Sequence, residues 1–166
     1  MTTDHIGICR ATLADIDGIL ALQDANQPEN GGRLSARLPR AAIKSMISIM
    51  PVIVARRAET VVGFLMISSA RMNAGVPIIK AMQARYPMTS DEIIYGPICV
   101  SAEERGRGLA ARLYAELGRL QPGLRFVLFI RRDNEASIKA HIKLGMHEMG
   151  EFDFDGASHL ILSHTA

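Results

Sequence analysis

The residues best suited to chemistry lie in a short glycine-bearing turn past the middle of the chain. An apolar segment, residues 93–100, leads to Arg105-Gly106-Arg107-Gly108-Leu109-Ala110, and an amphipathic helix follows. Several backbone N–H groups at the start of a helix lack intrahelical acceptors, and the helix dipole adds positive charge there. Arg105 and Arg107 add forked donors that suit phosphate oxygens. The turn therefore predicts binding of a phosphate group.

The spacing of the glycines distinguishes between known phosphate-binding turns. A P-loop needs Lys-Ser/Thr after its second glycine, and a dinucleotide fingerprint needs a third glycine where Ala111 stands. Alanine can fill that third position, but no strand that ends in an acidic residue follows about 20 residues later. The turn does match the pattern Gln/Arg-x-x-Gly-x-Gly/Ala, with Arg105, Gly108 and Ala110 in the defining places.

A second motif follows the next apolar strand, residues 126–130. Asn134 and Ser137 give Asn-x-x-Ala/Ser, and a predicted helix separates them from Leu144-Gly145-Met146. In this order and at this separation, the two motifs resemble those of the GNAT superfamily of acetyl-CoA-dependent N-acetyltransferases. The resemblance extends over about residues 6–164, although only residues 92–146 carry recognisable signatures.

The pattern of elements is typical of a mixed sheet. Alternating strands and helices, with hairpins at both ends of the chain, predict an α/β (α+β) fold with helices on both faces of a mainly antiparallel sheet. Thr12 to Asp15 reads as a capping box, Pro77 and Pro87 bound a short helix, and Asp155-Gly156 indicates a hairpin. The resemblance implies the GNAT-like version of this fold, in which splayed central strands hold acyl-CoA.

The resemblance also implies where acetyl-CoA binds. The main chain of Ile98, Cys99 and Val100 would pair with the pantetheine arm as an added strand does. The pyrophosphate would lie on the turn formed by Arg105, Gly106, Arg107, Gly108, Leu109 and Ala110, and Asn134 and Ser137 would complete the cofactor site. Cys99 on this strand is either an inert buried thiol or, less in keeping with such a position, an acyl-carrying nucleophile.

An acceptor amine with the ordinary lysine pKa of ~10.4 arrives protonated and needs a base before it can attack. Glu92 lies thirteen residues before Arg105, close to where the histone-acetylating branch of the superfamily keeps its catalytic glutamate. A glutamate at the start of a strand is more often a solvated surface residue, and this interpretation of Glu92 stays open. Tyr95 and ordered water are the other proton acceptors that we consider.

The leaving thiolate benefits from a proton donor, which the superfamily usually supplies as a tyrosine seven residues after the asparagine. In this chain that position is His141. Imidazole titrates near neutrality, so His141 can donate as an imidazolium, but its ring is shorter than a phenol. On an apolar helix face, it can also be an ordinary packed histidine.

Composition places further bounds on the chain. Its 166 residues suit one domain, 1–166, and a net charge of +2 with 22% charged residues does not favour a nucleic-acid binder. No apolar run approaches the ~18 residues of a membrane span, and two cysteines without a Cys-x-x-Cys pair predict a cytoplasmic protein. The five histidines form no metal-ligand pattern, so no metal is expected.

The resemblance implies an acetyl-CoA-dependent N-acetyltransferase that acts on a primary amine of a small molecule or peptide, by direct attack in a ternary complex. Two alternatives stay open. One is a protein lysine or N-terminal acetyltransferase, which the position of Glu92 favours. The other is a catalytically silent acyl-CoA sensor, which the missing tyrosine favours. The resemblance to the superfamily is also our basis for expecting a homodimer.

Overall fold

The computed structural model describes residues 5–165 and contains seven strands and five α-helices in that range. The strands are β1 (Ile6–Arg10), β2 (Ile53–Arg57), β3 (Thr60–Ser68), β4 (Glu92–Val100), β5 (Arg125–Arg131), β6 (His147–Phe154) and β7 (Ala157–Thr165). The helices are α1 (Ile16–Ala25), α2 (Arg40–Ile49), α3 (Pro77–Arg85), α4 (Leu109–Leu120) and α5 (Glu135–Lys143). The strand order is β1-β2-β3-β4-β5-β7-β6.

The chain forms two compact units, and β4 contributes to both. Unit 1 contains the described residues up to Ile67 together with Gly96–Leu120, and unit 2 contains Ser68–Tyr95 with the described residues from Gln121 onward. That residues 1–166 act as one domain stays a prediction.

Unit 1 is built on an antiparallel sheet of β1, β2 and β3. Side chains alternate between the faces of a strand, so Val54 and Phe64 face α1 and α2, whereas Gly63 lies on the opposite face. A Cβ atom at Gly63 would come within 3.3 Å of Leu109 and Leu113, so α4 packs closely on that opposite face. The core on the side of α1 and α2 comprises Ala11, Ile16, Ile19, Leu22, Ile43, Met46, Ile47, Val52, Val54, Val61, Phe64, Met66 and Cys99.

Unit 2 contains a parallel pair of strands, formed by β4 and β5. Glu92–Ile94 of β4 pairs with Arg125–Val127 of β5, while β5 continues to Arg131; β7 then pairs antiparallel with both β5 and β6. Ile94 packs with α3 in a cluster that also contains Ile79, Met82, Val127, Phe152 and Ile161. The next residue, Tyr95, contacts α5, so the two helices lie on opposite faces of the strand.

The fold predicted from the sequence is confirmed: the sheet is mixed and mainly antiparallel, with helices on both faces. The short helix between Pro77 and Pro87 is present as α3, and positive φ angles at Asp155 and Gly156 form the predicted hairpin turn. Within residues 5–165, no helix is long and apolar enough to cross a membrane.

The predicted capping box is also present, and its carboxylate, that of Asp15, binds Arg56 as well as the Thr12 backbone. Asp15 accepts a hydrogen bond from the Thr12 backbone N–H at 2.7 Å, and two from Arg56 at 2.6 and 2.5 Å. Burial alone would raise the pKa of Asp15, but the bonds from Arg56 and Thr12 outweigh it and leave this pKa below its usual range. The capping residue therefore ties the start of the first helical segment to β2.

We predict that Asp15→Asn lowers the free energy of unfolding by about 1–3 kcal/mol, because it leaves a partly buried guanidinium without its ionised partner. Since the folded-state pKa is depressed, this stabilisation is present above pH ~3.9 and is lost as the pH falls through the folded-state value. Urea unfolding between pH 3 and 7 measures both effects. Asp17→Asn is the matched control, because the Asp17–Arg40 ion pair is exposed. Equal losses in the two variants would contradict this account of the cap.

Candidate active site

The glycine turn in unit 1 has the open backbone that a bound anion needs. Gly106 and Gly108 have φ angles of 74° and 75°, which side chains rarely adopt, and no atom lies within 4 Å of where their Cβ atoms would stand. The backbone at both positions is therefore accessible from the side that a side chain would otherwise cover.

The start of α4 supplies backbone donors at the same place. The Arg112 N–H donates to the Gly108 carbonyl at 3.2 Å and makes a regular helical bond. The N–H groups of Leu109, Ala110 and Ala111 come before it, and helix geometry provides no intrahelical acceptor for them. Together with the helix dipole, these donors make the N-terminus of α4 an anion site.

A buried glutamate holds the turn in position. Glu104 Oε1 accepts two hydrogen bonds from Arg57 of β2, from Nε at 3.0 Å and from Nη2 at 2.6 Å. Glu104 Oε2 accepts no hydrogen bond from the described residues and lies 3.5 Å from Arg107 Nη1. The residue just before the turn is thus anchored to the sheet, while the turn itself stays exposed.

The two arginines of the turn differ in orientation. Arg105 donates to the Val100 carbonyl at 3.3 Å and to the Asn26 side chain, so its guanidinium folds back onto unit 1. The Arg107 side chain is 65% exposed. Of the two guanidinium groups that we predicted to meet phosphate, Arg107 is therefore the one that faces outward.

A cavity of about 520 Å³ lies beside the turn within unit 1. The loop after α1 contributes Asn30 and Gly31 to its lining, and Ser101 and Arg105 also line it. The Ser101 hydroxyl is buried without a hydrogen-bond partner among the described residues. The loop at residues 26–33 therefore borders a cavity.

The cofactor strand carries the predicted Ile98, Cys99 and Val100. The Cys99 side chain is buried in the core beneath α1, and burial raises its pKa to about 12, which the charge of Arg105 only partly opposes. A thiol with such a pKa is protonated at neutral pH and a poor nucleophile. This geometry agrees with the interpretation of Cys99 as an inert thiol.

Unit 2 links the second motif to a tyrosine. Asn134 caps α5 by accepting from the Ser137 N–H at 3.4 Å, and the Ser137 carbonyl lies 2.7 Å from Nδ1 of His141. Nε2 of His141 lies 3.2 Å from the Tyr95 hydroxyl, and the two rings meet edge to face. The structure thus connects Asn134, Ser137 and His141 with Tyr95, two residues of which we had considered for proton transfer.

Burial determines the charge of His141. Its side chain is almost fully enclosed, and this burial lowers its pKa, although the hydrogen bond to Ser137 acts in the opposite direction. The ring is therefore neutral at neutral pH. A resting imidazolium, which direct proton donation to a thiolate requires, is disfavoured in this environment.

Glu92 is buried at the start of β4 and is not a solvated surface residue. Its carboxylate accepts hydrogen bonds from the Tyr86 hydroxyl at 2.7 Å and from the Thr89 N–H at 2.9 Å, with Arg125 at 3.8 Å. To act as a base it must exchange one of these bonds for the substrate. The geometry favours a role in closing the loop after α3, and the catalytic role stays a prediction.

Sequence reasoning missed the residues that support the turn. Asn26 lies 79 positions from Arg105 and Arg57 lies 47 positions from Glu104, so neither contact has a local pattern that predicts it. Glu104 carried a partial signal, because it precedes the motif directly. Within residues 5–165, no group of three or more His, Cys, Asp or Glu side chains could hold a metal ion.

The chain belongs to the acetyltransferase (GNAT) family, whose sequence model matches residues 19–146. No curated protein matches the chain by sequence. Among solved structures, a GNAT-family acetyltransferase from Streptococcus agalactiae is similar with a TM-score of 0.74, at 19% identity over 97% of this chain and 95% of the other.

Two further structures show the same fold. An N-acetyltransferase from Staphylococcus aureus has a TM-score of 0.68 at 23% identity, covering 97% of this chain and 98% of its own. A protein from Salmonella typhimurium, solved with its cofactor acetyl-CoA, has a TM-score of 0.68 at 17% identity, covering 97% and 94%. Membership of this family therefore indicates that the protein is an acetyltransferase that uses acetyl-CoA.

We predict that Glu104→Gln lowers the free energy of unfolding by about 1–3 kcal/mol, because a neutral amide replaces the carboxylate that accepts two partly buried hydrogen bonds from Arg57. Urea unfolding measures the change. Its neighbour Glu103 is exposed, so Glu103→Gln serves as the matched control and should change stability by less than about 0.5 kcal/mol. A Glu104→Gln variant as stable as the control would show that the Arg57 contact does not anchor the turn.

Proposed function

We propose that this protein transfers the acetyl group of acetyl-CoA to a primary amine of a small molecule or peptide, by direct attack within a ternary complex. The observation that carries the proposal is the glycine turn at the start of α4, which combines backbone donors, a helix dipole and the exposed Arg107. This is the recognition surface that a pyrophosphate requires.

The residues present fit coenzyme A. Gly106 and Gly108 leave space where a side chain would block the backbone, and Leu109 and Ala110 present amides at the helix start. Ile98, Cys99 and Val100 lie beyond the part of β4 that pairs with β5, so their main-chain groups are candidates for the pantetheine arm. When bound, acetyl-CoA supplies a thioester carbonyl as the electrophile, and the roles of Asn134 and Ser137 toward it stay predictions.

The acceptor must lose a proton for the transfer to proceed, and the thiolate must gain one. Glu92 and His141 stay our predictions for the base and the acid. Their surroundings differ: the Glu92 carboxylate is already bound by two donors, whereas Nε2 of His141 meets a hydroxyl group.

An amine panel with acetyl-CoA tests the proposal. We expect thiol release that depends on an added primary amine, together with an acetylated product detected by mass spectrometry. Turnover only with protein or peptide substrates would instead identify a protein acetyltransferase. Tight coenzyme A binding without turnover on any acceptor would identify a silent acyl-CoA sensor and would contradict the proposed transfer.

A homodimer and a cytoplasmic location also stay predictions for this protein. The homodimer is tested by light scattering at high concentration, where a monomer mass would exclude it. The cytoplasmic location is tested by cell fractionation.

We predict that Gly108→Val weakens coenzyme A binding at least tenfold, because a branched side chain would occupy the space that the pyrophosphate needs. Isothermal titration calorimetry with coenzyme A on the folded variant measures the change. Gly123→Val is the matched control: Gly123 has a similar φ angle of 78° and equally open surroundings, but lies beyond the end of α4. Unchanged affinity in folded Gly108→Val would show that the pyrophosphate binds elsewhere.

A further inference from the structure

The side chain of Arg105 joins the end of β4 to the end of α1, within unit 1. Its Nε donates to the carbonyl of Val100, the last residue of β4, at 3.3 Å, and its Nη2 donates to Oδ1 of Asn26, which directly follows α1. A guanidinium is planar and presents its donors in a fixed fork, so one side chain can hold two acceptors at a set separation. We call these two hydrogen bonds the Arg105 bridge.

The orientation of the Asn26 amide follows from its other contact. Nδ2 lies 2.9 Å from the Leu22 carbonyl, and a carbonyl oxygen only accepts, so Nδ2 donates there and Oδ1 faces Arg105. Asn26 is 5% exposed, and both ends of its amide are paired inside the protein. Turning the amide away would break both contacts and leave a buried polar group unpaired, which is costly.

The backbone of Asn26 holds the loop that follows α1. Its carbonyl accepts a hydrogen bond from the Leu34 N–H at 3.0 Å, which ties the two ends of the loop at residues 26–34 together. Gly32 passes so close that a Cβ atom there would stand 1.9 Å from the same carbonyl oxygen, so a side chain does not fit at this position. Asn26 thus connects the loop, through its main chain, with the first residue of the glycine turn, through its side chain.

The two arginines of the turn are therefore suited to different tasks. Arg105 would have to give up both bonds of the bridge before its guanidinium could meet a ligand. The Arg107 side chain is 65% exposed and lies 3.5 Å from Oε2 of Glu104. A contact of that length is readily exchanged for a shorter, charge-assisted bond to a phosphate oxygen.

We infer that Arg105 is a positioning residue and not a phosphate ligand. The Arg105 bridge fixes the start of the glycine turn to the loop at residues 26–34, while Arg107 and the backbone amides meet the anion. The inference rests on the proposed binding of coenzyme A at the turn and deepens it. It gives different roles to two arginines that the sequence predicts to bind phosphate together.

The bridge acts beside the anchor formed by the preceding residue. Glu104 is bound by Arg57 of β2 and Arg105 by Asn26, so the two consecutive residues before Gly106 are held by two separate elements. A turn held in this way needs less ordering when a ligand binds. Loss of the bridge should therefore weaken binding even though no contact to the ligand is removed.

Paired substitutions at the two arginines separate positioning from charge. Lysine keeps the positive charge but lacks the fork that spans Val100 and Asn26. We expect Arg105→Lys and Arg105→Met to weaken coenzyme A binding equally, by about three- to tenfold, and to keep the salt dependence of the wild type. Arg107→Met should weaken binding and also reduce its salt dependence, because an exposed charge is lost, whereas Arg107→Lys should keep most of both. Isothermal titration calorimetry at low and high salt measures these changes.

A double-variant cycle tests whether Arg105 acts through Asn26. Asn26→Ala should weaken coenzyme A binding as much as Arg105→Met, and the double variant should bind no more weakly than the weaker single one. Asn73→Ala is the matched control, because the Asn73 amide also donates two hydrogen bonds, to Ser68 and Ser69 in unit 2. This control should bind coenzyme A like the wild type.

Hydrogen exchange of the protein without ligand gives a readout that does not depend on the cofactor. The Leu34 N–H, which donates to the Asn26 carbonyl, should exchange faster in Arg105→Met and in Arg105→Lys, because the loop loses its connection to the turn. The same amide should exchange at the wild-type rate in Arg107→Met.

The outcomes distinguish the positioning role from a phosphate ligand and from the function beneath it. Wild-type affinity in Arg105→Lys, a reduced salt dependence in Arg105→Met, or additive losses in the cycle would identify Arg105 as a phosphate ligand and overturn the inference. Wild-type affinity or unchanged Leu34 exchange in Arg105→Met would overturn it as well. If Asn26→Ala does not fold, the arginine variants and the exchange rates decide. No coenzyme A binding by the wild-type protein would overturn the proposed function, whereas faster Leu34 exchange would still show that the bridge holds the loop.

Discussion

The two hydrogen bonds from Arg57 to Glu104 are the constraint on which the candidate cofactor site depends. They fix the residue immediately before the glycine turn to β2, at 2.6 and 3.0 Å, inside unit 1. Exposed ion pairs such as Arg119–Glu116 contribute roughly 0–1 kcal/mol, whereas losing the hydrogen bonds of a buried carboxylate costs about 1–3 kcal/mol. A turn held in this way is ordered before any ligand arrives, so binding does not have to supply the ordering free energy.

Hydrogen bonds also fix the side chains of the second motif, on α5. Asn134 caps α5, Ser137 follows three residues later, and His141 one helical turn beyond, so their polar groups lie along one helix face. The carbonyl of Ser137 sets the tautomer of the ring, and the ring in turn orients the Tyr95 hydroxyl. Burial then removes the positive charge that an exposed histidine would carry at mildly acidic pH. A helix cap thereby influences a group on a neighbouring strand.

Local signals predicted most of the fold because each depends on residues close in sequence. The Thr12–Asp15 capping box, the helix between Pro77 and Pro87 and the Asp155-Gly156 turn all follow from backbone geometry within a few residues, and all are present. The glycine turn was recognisable for the same reason.

Contacts between distant positions could not be predicted in this way. Arg57 and Glu104 are 47 residues apart, and Tyr95 and His141 are 46 apart, so only the folded strands bring them together. Glu92 shows the same limit: its position at the start of a strand suggested exposure, but the loop after α3 buries it beneath Tyr86. The identity of a candidate group came from the sequence, whereas its partners and its protonation state required the structure.

A crystal structure of the protein grown with coenzyme A tests the central claim most directly. The account predicts pyrophosphate oxygens within about 2.7–3.2 Å of backbone nitrogens between Gly106 and Ala110, at the start of α4. Pyrophosphate density at any other place on the chain, with this turn making no contact to the ligand, would contradict it.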